Sequence, residues 1–369
     1  MKKLLLVSEP GSGGVKKNVL DIINNVDHNI FQIYLIYGNS RADTDYIETI
    51  EKYIQSYDLK AFEIRELKRE INIKNDFISL IKIFKIILKI KPDIVHCHSS
   101  KAGVLGRIAA KFAGVNRIIY TPHSYIFQNP NLKYLKKKSF ILLEKNLTKY
   151  FTDVVINVSK DEYDLAKKCD FNEKKLRIIH NGIITKNKTI KKTDTENLVV
   201  SITRFDEQKN PFELVKIAEK VNHKRNDIKF YIAGNGKLLN VVQQYIIDKK
   251  IKNILLLGYL SNVDEVLDKG KLFLSSSLYE SFPYALLEAL QSGLPVLCTN
   301  VIGNREVIEV NKTGWLYEVG DTDKAAEIIC NVMDNKLKIE PKWLNQYVKE
   351  NYDIKQMIDK LQSVYLKTI

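Results

Sequence analysis

The stretch that decides the fold runs from residue 272 to residue 321 and reads LFLSSSLYESFPYALLEALQSGLPVLCTNVIGNREVIEVNKTGWLYEVGD. Its apolar start predicts a buried strand over 272–275. A serine and Pro283 favour the start of a helix and a glycine with a further proline ends it, which predicts a short helix over 284–291. Another apolar run predicts a strand over 295–298. Strand, helix and strand in this order are the repeating unit of a parallel sheet.

The same alternation of strand and helix continues along the whole chain. Short apolar runs predict further strands at 3–8, 31–37, 94–98, 117–121, 154–158 and 176–180, and then at 198–203, 229–233 and 254–257. Eleven strands are many for one sheet, so two domains are predicted. The polar stretch NKTIKKTDTEN at 187–197 has the character of a linker between them. The predicted fold is α/β, with Rossmann-like, doubly wound parallel-sheet domains at 1–186 and 198–352 and a final helix at 353–369.

The composition is that of an ordinary globular protein with an uneven charge. Of 369 residues, 45% are hydrophobic and 28% are charged, which excludes a disordered or fibrous chain. The net charge is +14, and residues 1–190 contain 33 of the 58 Lys and Arg residues but only 20 of the 44 Asp and Glu residues. A basic first half predicts an anionic partner, such as a polyanion, a lipid surface or a charged substrate.

The sequence predicts neither disulfides, structural zinc nor a membrane span. The four cysteines are far apart and lack C-x-x-C spacing, which favours a reducing compartment. The N-terminal MKKLLLVSEP predicts a first strand instead of a secretion signal, because a proline and glycines follow its short apolar run at once. No apolar run approaches the ~18 residues of a membrane helix, so we expect a cytoplasmic protein that is soluble or peripheral.

Two pairs of charged residues lie where a parallel sheet binds its ligands. Glu280 stands in the loop before the predicted helix 284–291, and Glu288 lies inside that helix. The helix start offers amides for a phosphate, and two carboxylates beside it suit the hydroxyls of a sugar and a ribose. Arg204 and Lys209 follow the first strand of the second domain and suit a diphosphate without a metal. The alternative is that Glu280 caps the helix dipole and the other three are solvated charges.

Taken in order, these motifs resemble the donor site of the family 4 retaining glycosyltransferases. The matching segments are 204–209 (RFDEQK), 233–236 (AGNG), 257–260 (LGYL), 280–289 (ESFPYALLEA), 292–296 (SGLPV), 303–306 (GNRE) and 313–314 (TG). In the first domain, the loop GSGG at 11–14 and the pair NG at 181–182 also match. Each motif alone is weak, whereas the ordered set spans nearly the whole chain and is specific.

The resemblance implies the two-domain fold called GT-B, with the last helix crossing back to the first domain. Glu280 would hold the hydroxyls of the donor sugar and Glu288 the ribose, while Arg204 and Lys209 would stabilise the departing diphosphate. Further donor contacts would come from Gly13, Gly14, Gly234, Gly236, Tyr259, Leu260, Ser281, Phe282, Pro283 and Tyr284.

The resemblance also implies a metal-independent reaction that keeps the anomeric configuration of the sugar. The acceptor hydroxyl would attack on the leaving-group face and give its proton to a donor phosphate oxygen. No cofactor and no metal are expected beside the nucleotide sugar, for which UDP is the expected nucleotide. Many family members have Gly after the first Glu, whereas this chain has Ser281, which leaves the identity of the sugar open.

Two histidine loops form the predicted acceptor site in the first domain. His98 ends one predicted strand and His123 follows the next, with Lys101 and Tyr125 just beyond them. The carboxyl ends of parallel strands share one edge of a sheet, so the histidines are expected to meet in the cleft between the domains. Zinc is disfavoured because no further ligand has zinc spacing, and a structural role is the alternative for each histidine. The family has a cleft histidine where His123 falls, and the string HSSKAG at 98–103 resembles members that build bacterial surface polysaccharides on a lipid carrier.

Other ligands fit the sequence less well, with one exception. The loop at 11–14 lacks the remaining glycine and the acidic partner of a dinucleotide site, which disfavours NAD. Nucleic acid is disfavoured because no reader motif is present. The exception is anionic lipid, since the stretches 77–91 and 132–149 are basic and amphipathic. Their apolar faces are expected to pack on the sheet while their lysines meet a membrane surface.

The sequence therefore predicts an enzyme of bacterial surface polysaccharide synthesis at the inner face of the cell membrane. It would transfer a hexose or N-acetylhexosamine from a nucleotide sugar to a lipid-linked glycan. The second hypothesis is a non-catalytic subunit of a glycan-assembly complex, against which the intact charged residues argue. The third is an epimerase or phosphorylase on the same fold, although no lysine-anchored cofactor signature supports a phosphorylase.

Overall fold

The computed structural model describes residues 1–9, 11–40, 44–186 and 196–367. The chain divides into two compact units, of which the first comprises Met1–Asn181 with Ile354–Ile369 and the second Gly182–Asp353. Most of the predicted linker, residues 187–195, lies outside the described residues. Among the described residues, no helix combines the length and apolar character needed to cross a membrane.

The first unit is built on a parallel sheet of seven strands. In chain order, β1 to β7 are Lys2–Ser8, Phe31–Tyr37, Lys60–Glu63, Ile94–His98, Arg117–Thr121, Val154–Asn157 and Leu176–Ile178. Its helices α1 to α6 are Gly13–Asn25, Thr44–Tyr57, Ile73–Ile90, Ser100–Phe112, Tyr134–Phe151 and Lys160–Lys168, and the last helix of the chain, α14, is Ile354–Leu366. The strand order is β3-β2-β1-β4-β5-β6-β7. Helices cover both faces, and successive residues of β1 alternate between two cores, which explains its continuous apolar run.

The second unit is built on a parallel sheet of six strands. Its strands β8 to β13 are Leu198–Ile202, Lys229–Ala233, Ile254–Gly258, Leu272–Ser275, Val296–Thr299 and Gly314–Tyr317. Its helices α7 to α13 are Pro211–Lys224, Leu239–Asp248, Asp264–Lys269, Tyr284–Gln291, Asn304–Val307, Thr322–Met333 and Pro341–Asn351. The strand order is β10-β9-β8-β11-β12-β13. Short 3₁₀ helices occur at Ile126–Gln128, Glu173–Lys175 and Glu207–Lys209.

The predicted fold class is confirmed, and all eleven predicted strands are present to within two residues at either end. Two strands were missed. β3 is a four-residue edge strand in a charged stretch, where the apolar signal is short. β13 also has only four residues and follows a turn directly, so it carries too few residues for a pattern.

The chain enters and leaves the second unit through neighbouring segments. Ile183 forms a parallel bridge with Asp353, and the backbone oxygen of Ile184 accepts a hydrogen bond from Nε2 of Gln291 on α10 at 2.9 Å. These bonds place residues 182–186 in the second unit, whereas the sequence assigned them to the first.

In both sheets the strand order reverses between the first strand of the unit and the fourth. The reversal lies between β1 and β4 in the first sheet and between β8 and β11 in the second. Doubly wound sheets bind ligands outside the carboxyl ends of the strands at such a point. The loops that follow these four strands contain the predicted charged residues and His98 or lie directly beside them.

Candidate active site

Glu280 lies in the loop between β11 and α10, at the reversal point of the second sheet. The residue is 6% exposed. Its Oε1 accepts a hydrogen bond from the hydroxyl of Ser277 at 2.7 Å and forms an ion pair with the ammonium of Lys209. Lys209 ends the 3₁₀ helix after β8, so this ion pair joins the loops on both sides of the reversal point. A buried carboxylate is tolerated when it is both paired and hydrogen-bonded, as Glu280 is.

The guanidinium of Arg204 is held in one orientation by its own loop. Its Nε donates to Oδ2 of Asp206 at 2.9 Å, and its Nη2 donates to Oε1 of Gln208 at 3.1 Å. Gln208 is fixed in turn, because its Nε2 donates to the backbone oxygen of Tyr279 at 3.0 Å. About a third of the Arg204 side chain stays exposed. A planar donor held this way is preorganised for phosphate oxygens.

Glycines let the backbone approach both charged loops closely. Gly234 follows β9 at a φ of +141°, and a Cβ there would lie 1.7 Å from the backbone oxygen of Thr203. Gly303 has a φ of +82°, and its Cβ would lie 2.4 Å from the backbone oxygen of Ser281. No residue with a side chain fits either position without moving the loop behind it. The two glycines therefore fix the loops that present Arg204 and the buried glutamate.

The other predicted donor residues of the second unit lie at the start of α10 or in the loops after β9 and β10. Glu288 is half-buried one turn into this helix, and the N-cap residue, Pro283, makes no side-chain hydrogen bond to the first turn. Phe282 is 2% exposed and packs edge-on against Tyr352, with 5.3 Å between ring centroids. Its buried side chain therefore anchors the loop that carries Glu280. Tyr259 is 44% exposed beyond the end of β10. Gly236, Leu260, Pro283 and Tyr284 lie in the same loops and helix start.

Three histidines meet at the reversal point of the first sheet. Nδ1 of His98 lies 3.1 Å from Nε2 of His123, and the rings of His96 and His98 are 4.0 Å apart. His96 is bonded through Nδ1 to the hydroxyl of Tyr365 and through Nε2 to that of Thr121, each at 2.8 Å. Burial lowers the pKa of His96 and of His123 to about 3 and that of His98 well below its usual value. The cluster is therefore neutral at pH 7.

The backbone around these histidines is strained. Ser99, His123 and Ser124 have φ values of +69°, +52° and +82°, and they are three of the ten left-handed non-glycine residues in the described part of the chain. Each such residue costs about 1–3 kcal/mol and persists where its surroundings enforce it, commonly at functional sites. Nε2 of His98 is buried without a hydrogen-bond partner among the described residues, so it can bond to a ligand or water.

Two predicted acceptor residues have structural partners instead. Lys101 forms an ion pair with Asp76 of α3 at 2.6 Å, and its side chain is only 10% exposed. Tyr125 is 1% exposed, and its hydroxyl donates to Oδ1 of Asn157 at 2.9 Å. Gly13 and Gly14 are exposed at the start of α1. Within the described ranges, no group of three or more His, Cys, Asp or Glu residues is arranged to hold a metal ion.

Sequence reasoning missed several residues that hold the site together. Asp206 and Gln208 were part of the quoted motif but were not assigned a role, and Ser277 lies in a run of serines without a distinguishing signal. His96 is two residues from His98, a spacing that places both side chains on one face of a strand. Tyr365 comes from the far end of the chain, where nothing in the sequence links it to a histidine.

Together, the two doubly wound units and the charged loops at a reversal point define a class of enzymes, the GT-B glycosyltransferases. The family described as "Glycosyl transferases group 1" matches residues 183–363, and the one described as "Glycosyltransferase Family 4" matches residues 12–187. The chain belongs to the family 4 glycosyltransferases. It is thus a retaining enzyme that uses a nucleotide sugar, which confirms the predicted family and enzyme class.

Known relatives and structures agree with this assignment. An α-1,3-galactosyltransferase of Escherichia coli, named for UDP-Gal and α-D-GlcNAc-diphosphoundecaprenol, is 30% identical, and the match covers 98% of this chain and 95% of the relative. The capsular polysaccharide biosynthesis glycosyltransferase CapM of Staphylococcus aureus is 24% identical, covering 88% and 89%. HepE of Anabaena, solved in complex with UDP and glucose, has the same fold, with a TM-score of 0.81, 16% identity and 99% of each chain covered.

Proposed function

We propose that this enzyme transfers a hexose or N-acetylhexosamine from a UDP-sugar to a lipid-linked glycan in bacterial surface polysaccharide synthesis. The observation that carries the proposal is the buried Glu280 at the reversal point, bound by Ser277 and Lys209 and flanked by the oriented Arg204. The E. coli relative, which matches over almost its whole length, supports the choice of donor and acceptor class.

The ion pair of Lys209 and Glu280 suggests how a donor binds. The diphosphate of a nucleotide sugar attracts the ammonium of Lys209 away from Glu280. The carboxylate of Glu280 then keeps its bond to Ser277 and can accept hydrogen bonds from the sugar hydroxyls. Nε and Nη2 of Arg204 already lie in fixed hydrogen bonds, so the guanidinium needs little reordering to meet the phosphates. Glu288 is assigned to the ribose.

In the reaction, the acceptor oxygen forms a bond to the anomeric carbon while the bond from that carbon to the diphosphate oxygen breaks. Attack on the leaving-group face keeps the anomeric configuration, and the acceptor proton passes to a phosphate oxygen of the departing UDP. Arg204, Lys209 and the start of α10 stabilise the charge that develops on that oxygen. His123 is neutral, so its contribution is a hydrogen bond that orients the acceptor hydroxyl and not a positive charge.

We further propose that the first unit meets an anionic membrane surface, where a lipid-linked acceptor resides. On α5, Lys136, Lys137 and Lys138 are exposed beside Tyr134 and Leu135, which are 67% and 79% exposed. On α3, the large apolar residues Ile73 and Phe77 are 87% and 62% exposed, with exposed lysines further along the helix. Apolar and basic side chains together are the pattern that binds anionic lipid interfaces.

The test is turnover with UDP-galactose and an N-acetylglucosaminyl-diphospho-lipid, followed by UDP release and product mass. We expect Glu280→Gln to lower kcat/KM by about 10²-fold or more, because the amide cannot replace a carboxylate in the transition state. The control is Glu327→Gln, which removes an exposed surface carboxylate of the same unit and should leave turnover unchanged.

Two results would contradict the proposal. Absence of turnover with every UDP-hexose and UDP-N-acetylhexosamine on lipid-diphosphate glycans would exclude the proposed substrates. Full glycan output from Glu280→Gln in cells would instead favour the non-catalytic hypothesis.

A further inference from the structure

We infer that Glu162 is a positioning residue for the reaction, which holds the turn at residues 123–124 and thereby sets His123 against His98. The inference rests on the proposed function, because that proposal assigns His123 to the acceptor. It adds a residue from α6 that neither the sequence motifs nor the relatives single out.

Glu162 joins two segments through its carboxylate. It lies in the first turn of α6 and is fully buried. Its Oε1 accepts a hydrogen bond from the backbone N–H of Ser124, and its Oε2 accepts one from the backbone N–H of Val158, each at 2.9 Å. Its own N–H donates to the hydroxyl of Ser159 at 3.1 Å, so the helix start that carries the carboxylate is itself capped.

The use of this carboxylate differs from that of a helix cap. Ser159 and Glu162 have the S-x-x-E spacing of a capping box, in which the glutamate reaches back to the N–H of the capping residue. Here one oxygen binds the residue before the cap, and the other binds Ser124 in the loop after β5. One of the two carboxylate oxygens of Glu162 therefore binds the turn that carries His123.

The turn needs such an anchor because its backbone is strained. His123 and Ser124 are consecutive left-handed residues, a conformation that persists only where surrounding bonds enforce it. On the N-terminal side, the backbone oxygen of Thr121 accepts from the N–H of Ser99 at 3.1 Å. On the C-terminal side, Tyr125 is fixed by its buried hydroxyl. Between these points, the bond from Ser124 to Glu162 acts on the strained turn itself.

Loss of this bond lets the turn relax toward ordinary backbone angles. His123 then leaves its position 3.1 Å from Nδ1 of His98. A displacement of about 1 Å at a reacting group can reduce the rate on the order of 10²-fold. Donor binding should change little, because Arg204 and Lys209 lie in the second unit.

The experiment compares Glu162→Gln, Ser159→Ala and His123→Ala in the full-length enzyme, with UDP-galactose and an N-acetylglucosaminyl-diphospho-lipid as probes. Ser159→Ala is the matched structural control, because it weakens the start of the same helix but keeps the carboxylate bond to Ser124. For Glu162→Gln we expect kcat to fall at least about tenfold with KM for the donor unchanged, whereas Ser159→Ala should lower thermal stability and keep kcat. Amide exchange at Ser124 should accelerate in Glu162→Gln alone.

A double-mutant cycle separates positioning from general damage. If Glu162 acts through His123, Glu162→Gln should cost nothing further in the His123→Ala background. Wild-type kcat in Glu162→Gln together with accelerated amide exchange at Ser124, or an equal loss in both backgrounds, would overturn the inference while leaving the proposed function intact. Wild-type kcat in His123→Ala would show instead that the assignment of His123 in the proposed function is wrong, and the inference would fall with it.

Discussion

His96, His98 and His123 are neutral because burial lowers their pKa, and they are bonded mainly to hydroxyls and to one another. A neutral imidazole offers one donor and one acceptor, and His96 uses both ring nitrogens, one with the hydroxyl of Tyr365 and the other with that of Thr121. The Tyr365 bond reaches the site from α14, 269 residues along the chain from His96. The last helix therefore contributes to the chemistry of the first sheet as well as to its core.

This charge state predicts that stability decreases on acidification. The pKa of each of the three clustered histidines is lower in the folded chain than the ~6.5 of an unfolded histidine. Between pH 6.5 and about 3 the unfolded chain binds protons that the folded chain does not. The free energy of unfolding therefore decreases as the pH is lowered through this range. For His96 alone the loss from pH 6.5 to 5 is about 2 kcal/mol. Asp21 opposes this effect, because burial raises its pKa to about 6 and its folded form gains a proton over the same range.

The measurement is urea unfolding at pH 7 and pH 5, followed by circular dichroism. We expect a lower urea midpoint at pH 5 and a smaller pH effect in His98→Asn, which removes one depressed group. His223→Gln changes an exposed histidine of α7 and should keep the wild-type pH dependence. An equal pH effect in the wild-type enzyme and in His98→Asn would show that folding does not lower the pKa of His98, because both proteins keep Asp21.

The sequence predicted which charged residues come together where a motif states both type and order, and the roles of these residues stay predictions. Glu280, Arg204 and Lys209 were chosen for charge at predicted strand ends, and the structure brings them into linked loops. In the structure, Lys101 pairs with Asp76 and Tyr125 with Asn157. The sequence did not predict these partners, because a lysine or tyrosine near a strand end carries no signal for which side chain it will meet. Glu162 illustrates the same limit, because an S-x-x-E spacing is typical of a capping box and carries no signal for a bond to a distant turn.

At the scale of elements, the loop of Glu280 depends on one glycine. We predict that Gly303→Ala destabilises the second unit by about 1–3 kcal/mol and weakens UDP binding, because the new Cβ would meet the backbone oxygen of Ser281 at 2.4 Å. Gly114→Ala is the control, since Gly114 is also left-handed but has open space around it. Urea unfolding and UDP titration calorimetry measure the two effects. Unchanged UDP affinity in Gly303→Ala would show that the close approach of Gly303 to Ser281 is not needed for the loop of Glu280 to bind UDP.

Elements were predictable in proportion to their length and burial. β1 and β4 are buried on both faces, and their apolar runs located them to within a residue. β3 and β13 are four residues each and lie at the edges of their sheets; β3 is largely exposed, whereas β13 is buried but too short to show a pattern. Their pairing is decided by the sheet beside them, which a local pattern does not encode.

At the scale of the whole molecule, the excess charge of the first half predicts selective binding to anionic membranes. We expect the full chain to sediment with vesicles that contain phosphatidylglycerol and not with pure phosphatidylcholine, and to be released by salt. Changing Lys136, Lys137 and Lys138 to Glu should weaken binding on the order of 10²-fold, at about 1 kcal/mol for each lysine.

The control for membrane binding makes the same charge change in the second unit. Lys249, Lys250 and Lys252 are exposed there, and their replacement by Glu should alter binding much less. Equal loss from both triple variants would indicate attraction by net charge alone. Equal binding to neutral and anionic vesicles would argue against an electrostatic surface on α5.

The bridge between Ile183 and Asp353 has a consequence for how such enzymes diversify. The sequence of the second unit is one uninterrupted insert within the first, and its two ends lie side by side. An exchange at only two neighbouring junctions would therefore transplant the second unit, with its own sheet and core and the loops of Arg204 and Glu280, into a different first unit. Recombination can in this way combine one second unit with different first units and leave both hydrophobic interiors undisturbed.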